Sequence, residues 1–152
     1  MLNRFKEFFR LNIAAHADTA GAHDGIRLAS AALLVEIMVT DGQAVDKEES
    51  RIKTLLRTSF GLSSTESEEL FELAQLEVAE ATSLYQFTQL VNQHFSASQK
   101  LDLLKQLWLV ALSDGVLDKY EESLIRKLAD LLHIRHSQYI LAKNLARKEL
   151  TC

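Results

Sequence analysis

The sequence predicts an all-α fold of about seven to eight helices built on two duplicated helical hairpins. Three observations predict it. The 152 residues contain no proline and only five glycines, so little interrupts a helix. Apolar residues recur at helical rather than alternating spacing. Finally, "TDGQAVDKEESRI" at 40–52 returns as "SDGVLDKYEESLI" at 113–125, and an offset of 73 residues relates Asp41 to Asp114 and Ile52 to Ile125. A length of 152 residues fits one domain with a real core.

Taken in order, residues 2–15 carry Leu2, Phe5, Phe8, Phe9 and Ile13 on one side and Arg4, Lys6 and Arg10 elsewhere, an amphipathic helix. Residues 16–25, small and polar, read as a linker, so 1–25 form an N-terminal extension to a helical domain at 26–150. Residues 26–40 are apolar almost all round, as a buried central helix requires. After an Asp-Gly corner comes a helix at 47–59, closed by Gly61. Ser63 or Ser64 opens the next one. Residues 83–95 follow, with Tyr85, Phe87, Leu90, Val91 and Phe95 expected inward. Ser96 and Gln99 spell a capping box for the helix over 98–113, in which Trp108 is a core residue. The second Asp-Gly corner, a helix at 119–132, the turn "HIRH" and a basic last helix complete the chain.

Charge and composition narrow the function. Between Asp41 and Glu80 ten acidic side chains face four basic ones, a net −6 within a chain of net −4. Such an acidic middle speaks against a nucleic-acid partner. The longest apolar run, 28–39, is too short to span a bilayer and contains Glu36. The N-terminus lacks the apolar core of a signal peptide, and the single cysteine is Cys152, which together fit a reducing cytoplasmic location. Residues 2–15 could lie on a membrane surface, but packing against the chain's own domain or a second copy is the commoner use of such a stripe.

The repeated motif admits a structural and a ligand reading. Structurally, Gly42 and Gly115 stop a helix in the left-handed conformation, and Asp46 with Glu49, like Asp118 with Glu121, spells a capping box for the next helix. Against that account stands the placement of Asp41 and Asp114 at helix C-termini, where the macrodipole disfavours a carboxylate. Asp-Gly-x5-Glu is also the second half of an EF-hand loop; the first half is replaced by apolar Ile37, Val39, Val110 and Leu112, so neither copy is an EF-hand. If the copies meet, Asp41, Glu48, Glu49, Asp114, Asp118, Glu121 and Glu122 would share one solvent-accessible patch able to hold a divalent ion, Ca²⁺, Mg²⁺, Mn²⁺ or Zn²⁺.

These residues resemble the TerB-like family, named for the tellurite-resistance protein TerB, in its stand-alone bacterial branch. The resemblance runs through "LLVEIMVTDGQAVDKEESRIKTLLRTSFGLS", "SLYQFTQLVNQHFS" and "LWLVALSDGVLDKYEESLIRKLADLLHIRHSQYILAKN", covering about residues 26–146. It implies an all-α fold of two related hairpins, acidic residues proposed to chelate a divalent ion, and a role in stress response or membrane-linked complexes. By position those residues are Asp41 with Glu48 and Asp114 with Glu121. Many members have Ala before the Asp-Gly; this chain has Thr40 and Ser113.

Signals for catalysis are weak. "HD" at 23–24 lacks the further histidines of a phosphohydrolase, "HIRH" at 133–136 fits a solvated turn, and there is no Glu-x-x-His, phosphate loop or reactive-cysteine context. The reading is therefore a non-enzymatic domain with protein partners, a homodimer among them. Its alternatives are a metal-dependent phosphoester hydrolase and a purely structural oligomerisation module.

Overall fold

A computed structural model describes residues 18–40, 46–113, 115 and 117–151, with side chains from Gly25 onward. The helix expected at 2–15 lies outside these residues, as do Asp41, Gly42 and Asp114. Among the described residues there are seven helices and no strand: α1 Asp18–Val39, α2 Asp46–Phe60, α3 Ser64–Glu80, α4 Tyr85–His94, α5 Ala97–Ala111, α6 Lys119–Leu131 and α7 His136–Thr151.

The core is organised around α1 and α5. Leu28, Leu33, Leu34, Ile37 and Met38 of α1 are fully buried, as are Leu104, Leu107, Trp108 and Val110 of α5. The stretches Leu28–Met38 of α1 and Leu107–Ala111 of α5 are apolar on nearly every side, and only a position surrounded by other helices removes all of that surface from water. They pack on each other and on most of the remaining helices.

The packing is reciprocal. Helix α2 lies on α5 and α6 on α1, while α3 covers α1 as α7 covers α5. The repeat therefore comprises three helices, α1–α3 and α5–α7, with α4 as the element that is not duplicated. The third helix keeps the register one residue shorter: Leu70 with Ala142, and Ala74 with Ala146, are buried at a spacing of 72. The residue lost lies between Ile52 and Gly61, whose partners are Ile125 and His133. Gly61 (φ 64°) and His133 (φ 58°) are both left-handed. Each closes its helix with a six-to-one bond, Leu62 N–H to Arg57 C=O at 3.1 Å and Ile134 N–H to Ala129 C=O at 2.8 Å.

Two expectations are corrected. Residues 18–25 are not a linker, because α1 starts at Asp18 and runs through them. Gly21 and Gly25 weaken a helix by about 1 kcal/mol each, yet Gly25 is buried, so packing outweighs propensity there. Tyr85 does not face inward. It opens α4 and is 62% exposed, whereas Phe87 and Val91, four apart on the inner stripe, are buried. Elsewhere Ser96 with Gln99 forms the capping box as read, and Ser63, one of the two serines expected to open its helix, forms a second complete box with Glu66.

Candidate functional site

The two acidic corners begin in the same way. Thr40 Oγ1 donates to the Glu36 carbonyl at 2.6 Å, and Ser113 Oγ donates to the Leu109 carbonyl at 2.7 Å, both pairs separated by the repeat distance. A hydroxyl bonding back to the carbonyl four residues earlier satisfies one of the acceptors left orphaned at a helix end. That is the local use of Thr40 and Ser113 in place of alanine. Gly115 then adopts φ 83°.

Beyond each corner the chain places a carboxylate on the core side of the next helix. Glu48 is 1% exposed and Glu121 is 2% exposed. The reason is angular: Ile52 and Ile125 are fully buried, and a side chain four residues earlier lies on the same helical face. Orienting α2 and α6 to bury isoleucine therefore turns Glu48 and Glu121 inward. This corrects the expectation that they would be open to solvent. Their position in the first turn is electrostatically sound, because the helix N-terminus favours negative charge.

The neighbouring glutamates do something different. Glu49 accepts from Lys53 Nζ at 3.0 Å, and the same ammonium reaches Glu68 of α3 at 3.1 Å. The hydrogen bond to Glu49 is the main cause that raises the Lys53 pKa. Glu122 accepts from Lys143 Nζ of α7 at 3.0 Å. Each lysine also stands 5.0 Å from an aromatic centroid, Lys53 over Phe71 and Lys143 over Trp108. Glu49 and Glu122 thus help tie the second helix of each copy to the third. The expected capping boxes are not built here. Asp46 is the first residue of α2, and Asp118, though in N-cap position, accepts no capping hydrogen bond.

The two corners do not merge into one patch among the described residues. Helices α2 and α6 do not pack on each other to any comparable extent, and no three His, Cys, Asp or Glu side chains converge there. At the second corner, Asp118 Oδ2 is buried and finds no hydrogen-bond partner among the described residues. The donors in both corners are carboxylates, a set suited to a hard cation rather than to zinc.

A three-helix unit is used twice, the sequence has an Asp-Gly after the first helix of each copy, and a family model described as tellurite resistance protein TerB matches residues 27–144. The chain belongs to the TerB family. The match spans both copies, from the second half of α1 to the middle of α7, and includes every acidic residue of the two corners. No curated protein and no solved structure matches the chain.

Within the TerB domain the sequence pattern had located Asp118, Glu48, Glu49, Glu121 and Glu122 without separating their roles. It had missed Lys53 and Lys143. Lys53 was legible in principle, since it lies four residues after Glu49; Lys143 lies 21 residues from Glu122 and carries no local signal. The "HIRH" turn holds His133 at the helix-closing position, while His136 stacks on Tyr139 with centroids 5.7 Å apart. Both imidazoles are exposed. No helix of the described residues is long and apolar enough to cross a membrane.

Proposed function

We propose that this TerB domain is a non-enzymatic, cytoplasmic binding module whose acidic corners respond to a divalent cation and so bias its association with protein partners, a second copy among them, in stress-response or membrane-linked complexes. The observation that carries this reading is Asp118 Oδ2, buried without a hydrogen-bond partner among the described residues, four positions after Asp114 in the second corner. Burying a carboxylate oxygen is costly unless its charge is answered.

The reading differs from a single shared site. Each corner would supply two or three carboxylates, Glu48 with Asp41 in the first and Glu121 with Asp118 and Asp114 in the second. Glu49 and Glu122 are set aside by their lysines. So few charged ligands make for weak binding of Ca²⁺, Mg²⁺ or Mn²⁺. A bound cation would supply charge neutralisation at the corner and hold the helix-joining turn; the rest is done by the chain's own packing.

Thermal melts with each cation against chelator test this. At a hundredfold excess over the dissociation constant the gain is about 2.7 kcal/mol, or roughly 5–10 °C for a domain of this size. Asp118→Asn should reduce the shift. The proposal fails if none of the cations at millimolar concentration moves the melting temperature. Turnover of a generic phosphoester with Mg²⁺ or Mn²⁺, lost in Asp114→Asn, would instead make the domain a hydrolase.

A further inference from the structure

A cleft of about 400 Å³ opens where the first turn of α5 meets the turn between α6 and α7. Lys100 of α5, His133 and Arg135 of the turn, and Ser137 and Gln138 of α7 line it. Both formal charges among the lining residues are positive, and no carboxylate of the described residues lines the cleft. The chain as a whole is net −4, so this positive hollow runs against its overall field. Asp102 and Asp130, the nearest acids in sequence, stay outside it; Asp102 lines a different hollow beside Phe60.

The local structure holds these groups in place. Lys100 Nζ donates to the Leu132 carbonyl at 3.0 Å, one of the acceptors left at the end of α6. An ammonium carries three donors, so this bond fixes the group at the cleft and uses one of them. Arg135 is exposed and forms no ion pair among the described residues. His133 adopts the left-handed conformation, φ 58°, in the place that Gly61 takes in the first copy. A side chain is disfavoured there, and the imidazole is exposed, so burial does not repay the strain. Residues kept in sparsely populated backbone conformations cluster at ligand sites. Beside Lys100 and Arg135 the imidazole has such a use.

We infer that this cleft binds the phosphate of a small phosphomonoester, held by Lys100, Arg135 and His133. Two permanent cations match a phosphate dianion in charge. Its three terminal oxygens take many donors, and the ammonium, the guanidinium fork, the imidazole, the Ser137 hydroxyl and the Gln138 amide supply them. A carboxylate would be served by the fork alone. Leu101 and Ile134, both half-buried on the wall, offer apolar surface to the organic part. The start of α7, a helix of 16 residues, adds a favourable dipole. The cleft lies at the first turn of α5 and the second acidic corner follows its last, roughly 20 Å along the axis. Anion binding here is therefore independent of any cation at the corners.

Phenyl phosphate, dimethyl phosphate and benzyl alcohol serve as probes, titrated at fixed ionic strength with chelator present and followed by backbone amide NMR. Phenyl phosphate is expected to saturate at millimolar concentration or below and to shift the amides of Lys100, Ile134 and Ser137. Dimethyl phosphate, a monoanion, should bind about tenfold more weakly, and benzyl alcohol should not saturate. Arg135→Gln, a surface change, should weaken phenyl phosphate by about fivefold. Lys105→Gln removes a charge from the same helix outside the cleft and should change the affinity by less than about twofold. His133→Gly should weaken binding by about threefold without lowering the melting temperature, a combination that a purely structural histidine would not give. The inference is overturned if no probe binds at millimolar concentration, if dimethyl phosphate binds as tightly as phenyl phosphate, or if Lys105→Gln costs as much as Arg135→Gln. Capture by vesicles containing phosphatidic acid without saturation by phenyl phosphate would also overturn it, in favour of a membrane surface.

Discussion

The first copy, α1–α3, and the second, α5–α7, reach the same backbone through different chemistry. Where the first closes its middle helix with Gly61, the second asks a histidine to adopt the left-handed conformation. Where the first ties its glutamate to a lysine on the same helix, the second takes a lysine from the next. What the copies share are the inner positions: a buried glutamate, a buried isoleucine, and a hydroxyl bonding back just before each Asp. The lesson is that the inner stripe and the corner define this fold, whereas the outer charge pairs can be rebuilt by any neighbour within reach.

Breaking the inner stripe should cost most. Ile52→Ala and Ile125→Ala each remove a fully buried side chain and should destabilise by about 2–5 kcal/mol, measured by denaturant unfolding. Closely similar losses would support equivalence of the copies. A loss below about 1 kcal/mol in one of them would break the comparison.

The helix-closing positions come next. A Cβ on Gly61 would meet nothing within 4 Å, so Gly61→Ala should cost about 1 kcal/mol from backbone strain alone. His133→Gly should run the other way, gaining up to about 1 kcal/mol less the added freedom of the unfolded chain. If His133→Gly destabilises, the imidazole makes a contact that offsets its strain.

The tie lysines should matter less. Lys53→Met and Lys143→Met should each lose no more than about 1 kcal/mol, since their pairs are partly open to solvent. Equal small losses would show that the two routes to the tie are interchangeable.

The smallest expected effect separates the copies by pH. Glu36 of α1 is half-buried, and burial raises its pKa; its counterpart in α5 is Leu109. A carboxyl whose folded pKa is raised favours folding fully only below its unfolded pKa, and that contribution is lost as pH rises through the folded value. Glu36→Gln should therefore gain stability relative to wild type between pH 4 and pH 7. Leu109→Met, as the control in the second copy, should show no such trend. A flat pH profile of the Glu36→Gln difference would mean that Glu36 carries no desolvation penalty.

Much of this was legible in the sequence. Absence of proline, helical spacing and the Ser96 capping box are near-neighbour signals, and they placed α2, α4, α5 and α6 within a residue or two. The offset of 73 located both corners and the inner isoleucines because duplication had kept identical letters there. Local rules also set what a helix end needs, so Gly61 and Ser96 were readable from a few residues. Tertiary structure alone decided the rest. It continued α1 through Gly25, because burial against neighbours outweighs propensity there, and it made the third helices part of the repeat, where few letters survive. It paired Lys143 with Glu122 across a turn. Above all it turned Glu48 and Glu121 inward: a carboxylate four residues before an isoleucine shares its face, but only the helices packed against that face determine that the shared direction is the core.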